Sequence, residues 1–127
     1  MDKATMVGLD ISVGQDVVRA LDNAGVKLSV AVWAELPDYV DWRLVLAGPG
    51  FDAVGLEGYY RLLHNALAQA GFPPSNRPLT RIFPMSDPFV KALRRIYAKY
   101  KYTDGKRIGG RMIGDRFIED GYIYRIT

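Results

Sequence analysis

Lys91, Arg95 and Lys99 stand at i, i+4 and i+8, with Arg94 and Lys101 beside them and Tyr97, Tyr100 and Tyr102 interleaved. On a helix that spacing lays three cations down one side. Like charges four residues apart destabilise a helix by roughly 0.2–0.5 kcal/mol per pair, and no acid is interleaved to relieve them. Phosphates or an acidic partner surface would offset that cost. Bases mixed with aromatic rings are also what single-strand binders use, since nucleobases stack on the rings. Lys106, Arg107, Arg111 and Arg116 form a second basic group and extend the candidate binding face to nine residues. Two features weigh against this. Tyr97 and Tyr100 share the apolar side with Phe89, Leu93 and Ile96, where they serve the core, and a charged helix face is often only a solvated one. Helix-turn-helix spacing, RNP aromatics and a KH loop are absent.

Other chemistry is thinner. His64 is the only histidine, so a two-His metal site within one chain is impossible, and no nucleophile accompanies it in a triad pattern. Its place at the edge of an apolar stripe predicts a half-buried helix residue. Asp115, Glu119 and Asp120, beside Arg111 and Arg116, are the carboxylates that a magnesium-dependent phosphodiesterase would need. A metal-free ribonuclease of the small basic type is a further enzymatic alternative. The period of two sets Asp120 on the strand face opposite Glu119, and a hairpin carboxylate more often pairs with a cross-strand arginine. Gly48-Pro49-Gly50-Phe51-Asp52-Ala53 matches G-x-G-x-x-A between a strand and a helix. However, Pro49 removes an amide, Asp52 and Glu57 place negative charge at the mouth, and no acid follows between residues 58 and 86 to hold a ribose. The motif reads as a strand-to-helix turn. No catalytic residue, metal or cofactor is assigned.

The elements that must position the bases follow from periodicity. Ser12 to Gln15 form a capping-box pattern ahead of Val17, Val18, Leu21 and Ala24, with Gly25 as the stop. Residues 28–36 alternate as a strand, 37–41 turn, and 42–47 return as its hairpin partner. A second helix, capped by Asp52, carries Leu56, Tyr59, Tyr60, Leu63, Ala66, Leu67 and Ala70 on one side and stops at Gly71. Thr80 to Phe83 is a short strand. Asp87 caps the third helix, with Pro88 at its first position, and the helix runs to about Tyr100. Gly109-Gly110 suggests a bulge and Gly114-Asp115 a two-residue hairpin turn, preferred over Asp120-Gly121 because it leaves Ile118, Tyr122, Tyr124 and Ile126 on one face. The order α-β-β-α-β-α-β-β predicts one α+β domain over residues 1–127: a mainly antiparallel sheet of about five strands with three helices on one face.

The composition agrees with a globular chain. It has 127 residues, 49% hydrophobic and 24% charged, and no cysteine, which excludes disulfide scaffolds and thiol chemistry. No apolar run reaches the ~18 residues of a membrane span, so no membrane partner is expected. The first residues lack the apolar core of a signal peptide, so the expected compartment is the cytoplasm. The net charge of +3 is unevenly distributed: five bases against nine acids give −4 over residues 1–76, and twelve against five give +7 over 77–127. That division predicts an anionic partner, nucleic acid or an acidic protein, for a non-enzymatic binding module. The rival is a homodimer in which the two halves neutralise each other across subunits, with Tyr39 and Trp42 as interface anchors.

Four stretches carry a resemblance: residues 18–25 (VRALDNAG), 32–49 (VWAELPDYVDWRLVLAGP), 87–95 (DPFVKALRR) and 117–126 (FIEDGYIYRI). Together they resemble a family of small uncharacterised bacterial proteins in which Ala stands at the position of Gly121. The resemblance implies a single domain and a continuous strand through residue 121. It brings no activity and no site residue.

Overall fold

Val30, Ala31, Val32, Trp33 and Ala34 are all buried, and a strand without a solvated side must lie between two layers. A computed structural model describes residues 8–100 and 105–127 and has this arrangement. Its elements are α1 (Gly8–Asn23), β1 (Val30–Glu35), β2 (Arg43–Ala47), α2 (Pro49–Val54), a 3-10 turn (Leu56–Gly58) and α3 (Tyr59–Gln69), followed by β3 (Thr80–Ile82), α4 (Pro88–Tyr97), β4 (Arg107–Ile113) and β5 (Arg116–Ile126). The five strands form one mixed sheet in the order β3-β2-β1-β5-β4. Pairing is antiparallel except between β2 and β3. The α+β class and mainly antiparallel sheet agree with the expectation from sequence.

The helices occupy both faces rather than one. Side chains of α1, α2 and α3 pack with Ala31, Trp33, Leu44, Leu46 and Ile82. Alone on the other face, α4 buries Phe89, Val90, Ala92 and Leu93 against Val30, Val32, Ala34 and Val45. Fully burying Phe89, Val90 and Leu93 stabilises the fold by roughly 1.5–3 kcal/mol each.

Local differences from expectation have local causes. α1 starts by Gly8, so Ser12 is an exposed residue within it rather than its cap. The expected second helix is two: Gly55, at φ 74, takes a left-handed conformation that no helix interior accepts, and α2 ends there. Of that helix's expected stripe, Tyr59, Leu63, Ala66 and Leu67 are buried, whereas Leu56 is 73% exposed. Asp87 caps α4 as expected, accepting from the Phe89 amide at 2.9 Å, but α4 stops three residues short of Tyr100.

The final hairpin turns at Gly114-Asp115 as expected, with Ile113 opposite Arg116. Its pairing keeps one register from Arg107↔Tyr122 to Ile113↔Arg116, so the Gly109-Gly110 pair adds no residue to either strand. The irregularity there is a change of phase: Ile108 and Ile113, an odd number apart, both face α4. A true register shift lies instead between β1 and β5, opposite Ala31 and Val32. It sets Ile126 on the α4 side, apart from Tyr122 and Tyr124 on the α1 side, while the phase change opposite the glycine pair sets Ile118 on the α4 side, so the four do not share the single face expected.

Candidate anionic-partner interface

Among the described residues α4 is the only helix on its face of the sheet, and its outer side meets solvent. Lys91, Arg94, Arg95 and Lys99 are exposed there, opposite the buried Phe89 and Leu93. Among the described residues, no ion pair engages Lys91, Arg95 or Lys99. The Arg94 Nε donates to the Thr127 carbonyl at 2.7 Å, which ties α4 to the residue after β5. At the C-terminal end of α4, the ammonium groups of Lys99 and Lys106 lie 5.5 and 5.2 Å from the centre of the Tyr100 ring. Tyr100 is 51% exposed, so it serves as a cation platform rather than a core residue. Lys101 and Tyr102 lie outside the described residues.

Register sorts the hairpin bases, since directly paired residues point to the same face. Arg111 pairs with Ile118 and Arg116 with Ile113, and both isoleucines belong to the α4-side cluster. Both arginines therefore stand on the α4 side. Arg107 pairs with Tyr122, which packs on the opposite face, and it forms an ion pair with Asp120 at 2.6 Å. The eight described bases of the nine expected to act together thus separate, with Arg107 on the opposite face from Arg111 and Arg116.

Two bases that sequence reasoning passed over stand on the α4 side. Arg43 stacks over the Tyr39 ring at 4.5 Å, while Arg81 and Arg116 lie 4.6 and 5.1 Å from the centre of the Phe83 ring. Arg81 also sits beside the Tyr39 hydroxyl. The sequence signal was the i, i+2 spacing of Arg81 and Phe83, which on a strand brings a guanidinium over a ring. Arg116 also pairs with Asp38 at 2.9 Å, lining a cleft of about 290 Å³ with Leu36, Pro37, Asp115 and Phe117. Tyr39 and Trp42 are half-buried, packed against the cores on opposite faces, rather than exposed together as anchors.

His64 is exposed, not half-buried, and its Nδ1 lies 2.9 Å from an Arg77 guanidinium nitrogen. A guanidinium only donates, so this Nδ1 accepts and the imidazole proton sits on Nε2. Asp120 is occupied by Arg107 and the Gly121 amide. Among the described residues, no three His, Cys, Asp or Glu side chains converge to hold a metal.

The glycine turn offers no phosphate cradle. The Gly50 amide donates to the Lys27 carbonyl at 3.0 Å, and the Phe51 and Asp52 amides donate to Gly48. Asp52 is not a helix cap. Its carboxylate accepts from the Tyr59 hydroxyl at 3.4 Å and the Met85 amide at 3.3 Å. Burial, reinforced by that carboxylate, pushes the Tyr59 phenol above its ordinary pKa.

No family model matches the chain, and no curated protein or solved structure matches it either. Among the described residues, no helix is long and apolar enough to cross a membrane.

Proposed function

We propose that the protein is a non-enzymatic binding module that contacts nucleic acid through the α4 side of its sheet. One observation carries the reading: Lys91, Arg95 and Lys99 line an exposed helix face with no carboxylate paired to them among the described residues. Arg111, on the same side, and Lys106, beside Tyr100, extend that face. Tyr100 supplies an exposed ring for base stacking. Internal neutralisation of the two halves accounts for only part of the charge. Asp38 takes Arg116 and Asp22 takes Arg125, which leaves the outer row of α4 untouched.

Fluorescence anisotropy with short single-stranded RNA, single-stranded DNA and duplex DNA tests the proposal. Engagement of about four phosphates predicts a log–log salt slope near −3 for a single strand. Absence of binding to all three probes at low salt sinks it. A strict monomer in light scattering at high concentration would remove the rival homodimer.

A further inference from the structure

The two edges of the sheet are finished differently. β3 is three residues long, and its outer groups are covered: the Ile82 amide donates to the Tyr60 hydroxyl at 3.3 Å, and its carbonyl accepts from Arg81 at 3.2 Å. β4 is seven residues long and closes the sheet on the other side, pairing among the described residues only with β5. Arg107, Gly109, Gly110, Arg111 and Met112 are exposed along it. A Cβ built on Gly109 would meet nothing within 4 Å. Among the described residues, no hydrogen bond covers the outer edge of β4 as Tyr60 and Arg81 cover that of β3. An open edge of this length is a template for another strand.

We infer that the β4 edge accepts an extended peptide of alternating acidic and apolar residues, added as a sixth strand. The two faces beside that edge select the pattern. On the α4 side the incoming strand meets Arg111, and on the other side it meets Met112 and its cross-strand partner Phe117, which are 58% and 40% exposed. Side chains alternate between faces along a strand, so acids facing Arg111 and apolar groups facing Met112 fall at successive positions. Charge decides against a second copy of this chain as the occupant. Antiparallel β4–β4 pairing would bring two sets of Lys106, Arg107 and Arg111 together, with Asp120 as the carboxylate that neutralises Arg107 in each. The same charges that repel a copy attract an acidic strand. This surface shares Arg111 with the proposed nucleic-acid face but does not use Lys91, Arg95 or Lys99 of the outer row of α4.

The test uses a labelled peptide of about seven residues alternating Glu and Val, titrated against the full chain by anisotropy, with amide hydrogen exchange read at β4. The expected result is saturable binding with slowed exchange at residues 108–112. N-methylation of alternate peptide amides on the pairing edge keeps the charge and removes the ladder, and binding should be lost. Arg111→Glu and Met112→Glu, both at exposed positions, should each weaken binding about tenfold or more. Neutralising Lys91, Arg95 and Lys99 should leave it within about twofold, since the outer row of α4 takes no part. Equal binding of the N-methylated peptide would overturn strand addition in favour of charge alone. Slowed exchange at β4 in a peptide-free dimer would assign the edge to a second copy. No binding at millimolar peptide would overturn the inference outright.

Discussion

The Arg125 guanidinium holds both oxygens of the Asp22 carboxylate at 2.8 Å, joining residues 103 apart from opposite halves of the chain. The bond to Arg125 lowers the Asp22 pKa below its ordinary value, against the opposing effect of partial burial. A depressed carboxylate pKa contributes stability that is present above the unfolded value and lost as pH falls through the folded one. Asp22→Asn should therefore destabilise the protein at pH 7 by about 1 kcal/mol or less, because the pair is partly solvated and screened. The difference from wild type should shrink below about pH 4 and vanish at lower pH. Urea unfolding across that range measures it; a constant difference at every pH contradicts the assignment.

Gly14 lies where α1 meets the sheet. The Tyr124 hydroxyl donates to the Ile11 carbonyl at 2.6 Å and the Trp33 indole to the Asp10 carbonyl at 3.1 Å. A Cβ at position 14 would overlap the Tyr124 hydroxyl and come within 2.6 Å of the indole nitrogen. Gly14→Ala should cost about 1–3 kcal/mol through overpacking, although alanine is the better helix former. Tyr124→Phe should cost about 1 kcal/mol. The double variant should be more stable than the sum of the two losses predicts, because the shorter side chain removes the nearest of the overlaps, although the Tyr124 ring carbon and the indole nitrogen still lie 2.6 Å from the added Cβ. Additive losses in denaturant unfolding would show that the hydroxyl is not what Gly14 accommodates.

Tyr60 covers the β3 edge through its hydroxyl, so Tyr60→Phe should uncover the Ile82 amide with little change to the core. Exchange at that amide should quicken, and on storage the variant should aggregate faster than wild type. Protection unchanged at Ile82 would mean that the hydroxyl contributes nothing to the edge.

Particular residues show where the sequence was readable. Asp87-Pro88 announced the start of α4, and Gly114-Asp115 the final turn, because a cap and a turn are local chemistry. The sequence carries a signal for helices on both faces, which the one-face expectation does not use. Ala31 and Trp33 are apolar at the alternate positions of β1, and Leu44 to Ala47 form an unbroken apolar run. Such strands need cover on two sides. The shift opposite Ala31 and Val32 leaves no local trace, so alternation alone places Ile126 on the face of Tyr122 and Tyr124. At the candidate interface, the bases of α4 were legible from i, i+4 spacing alone. The separation of Arg107 from Arg111 was not, since it depends on the phase change at the glycine pair.

The central claim is that the outer row of α4 meets phosphates, and the salt dependence of binding tests it most directly. Anisotropy titrations of a single-stranded RNA probe should compare wild type with the triple variant Lys91→Gln, Arg95→Gln, Lys99→Gln and with Arg107→Gln. The account predicts that the triple variant loses affinity and that its log–log salt slope is shallower by about 2, near −0.7 for each phosphate contact removed. Arg107→Gln, on the far face, should keep the wild-type slope. A triple variant with the wild-type slope, or an Arg107 variant that loses as much as the triple, would contradict it.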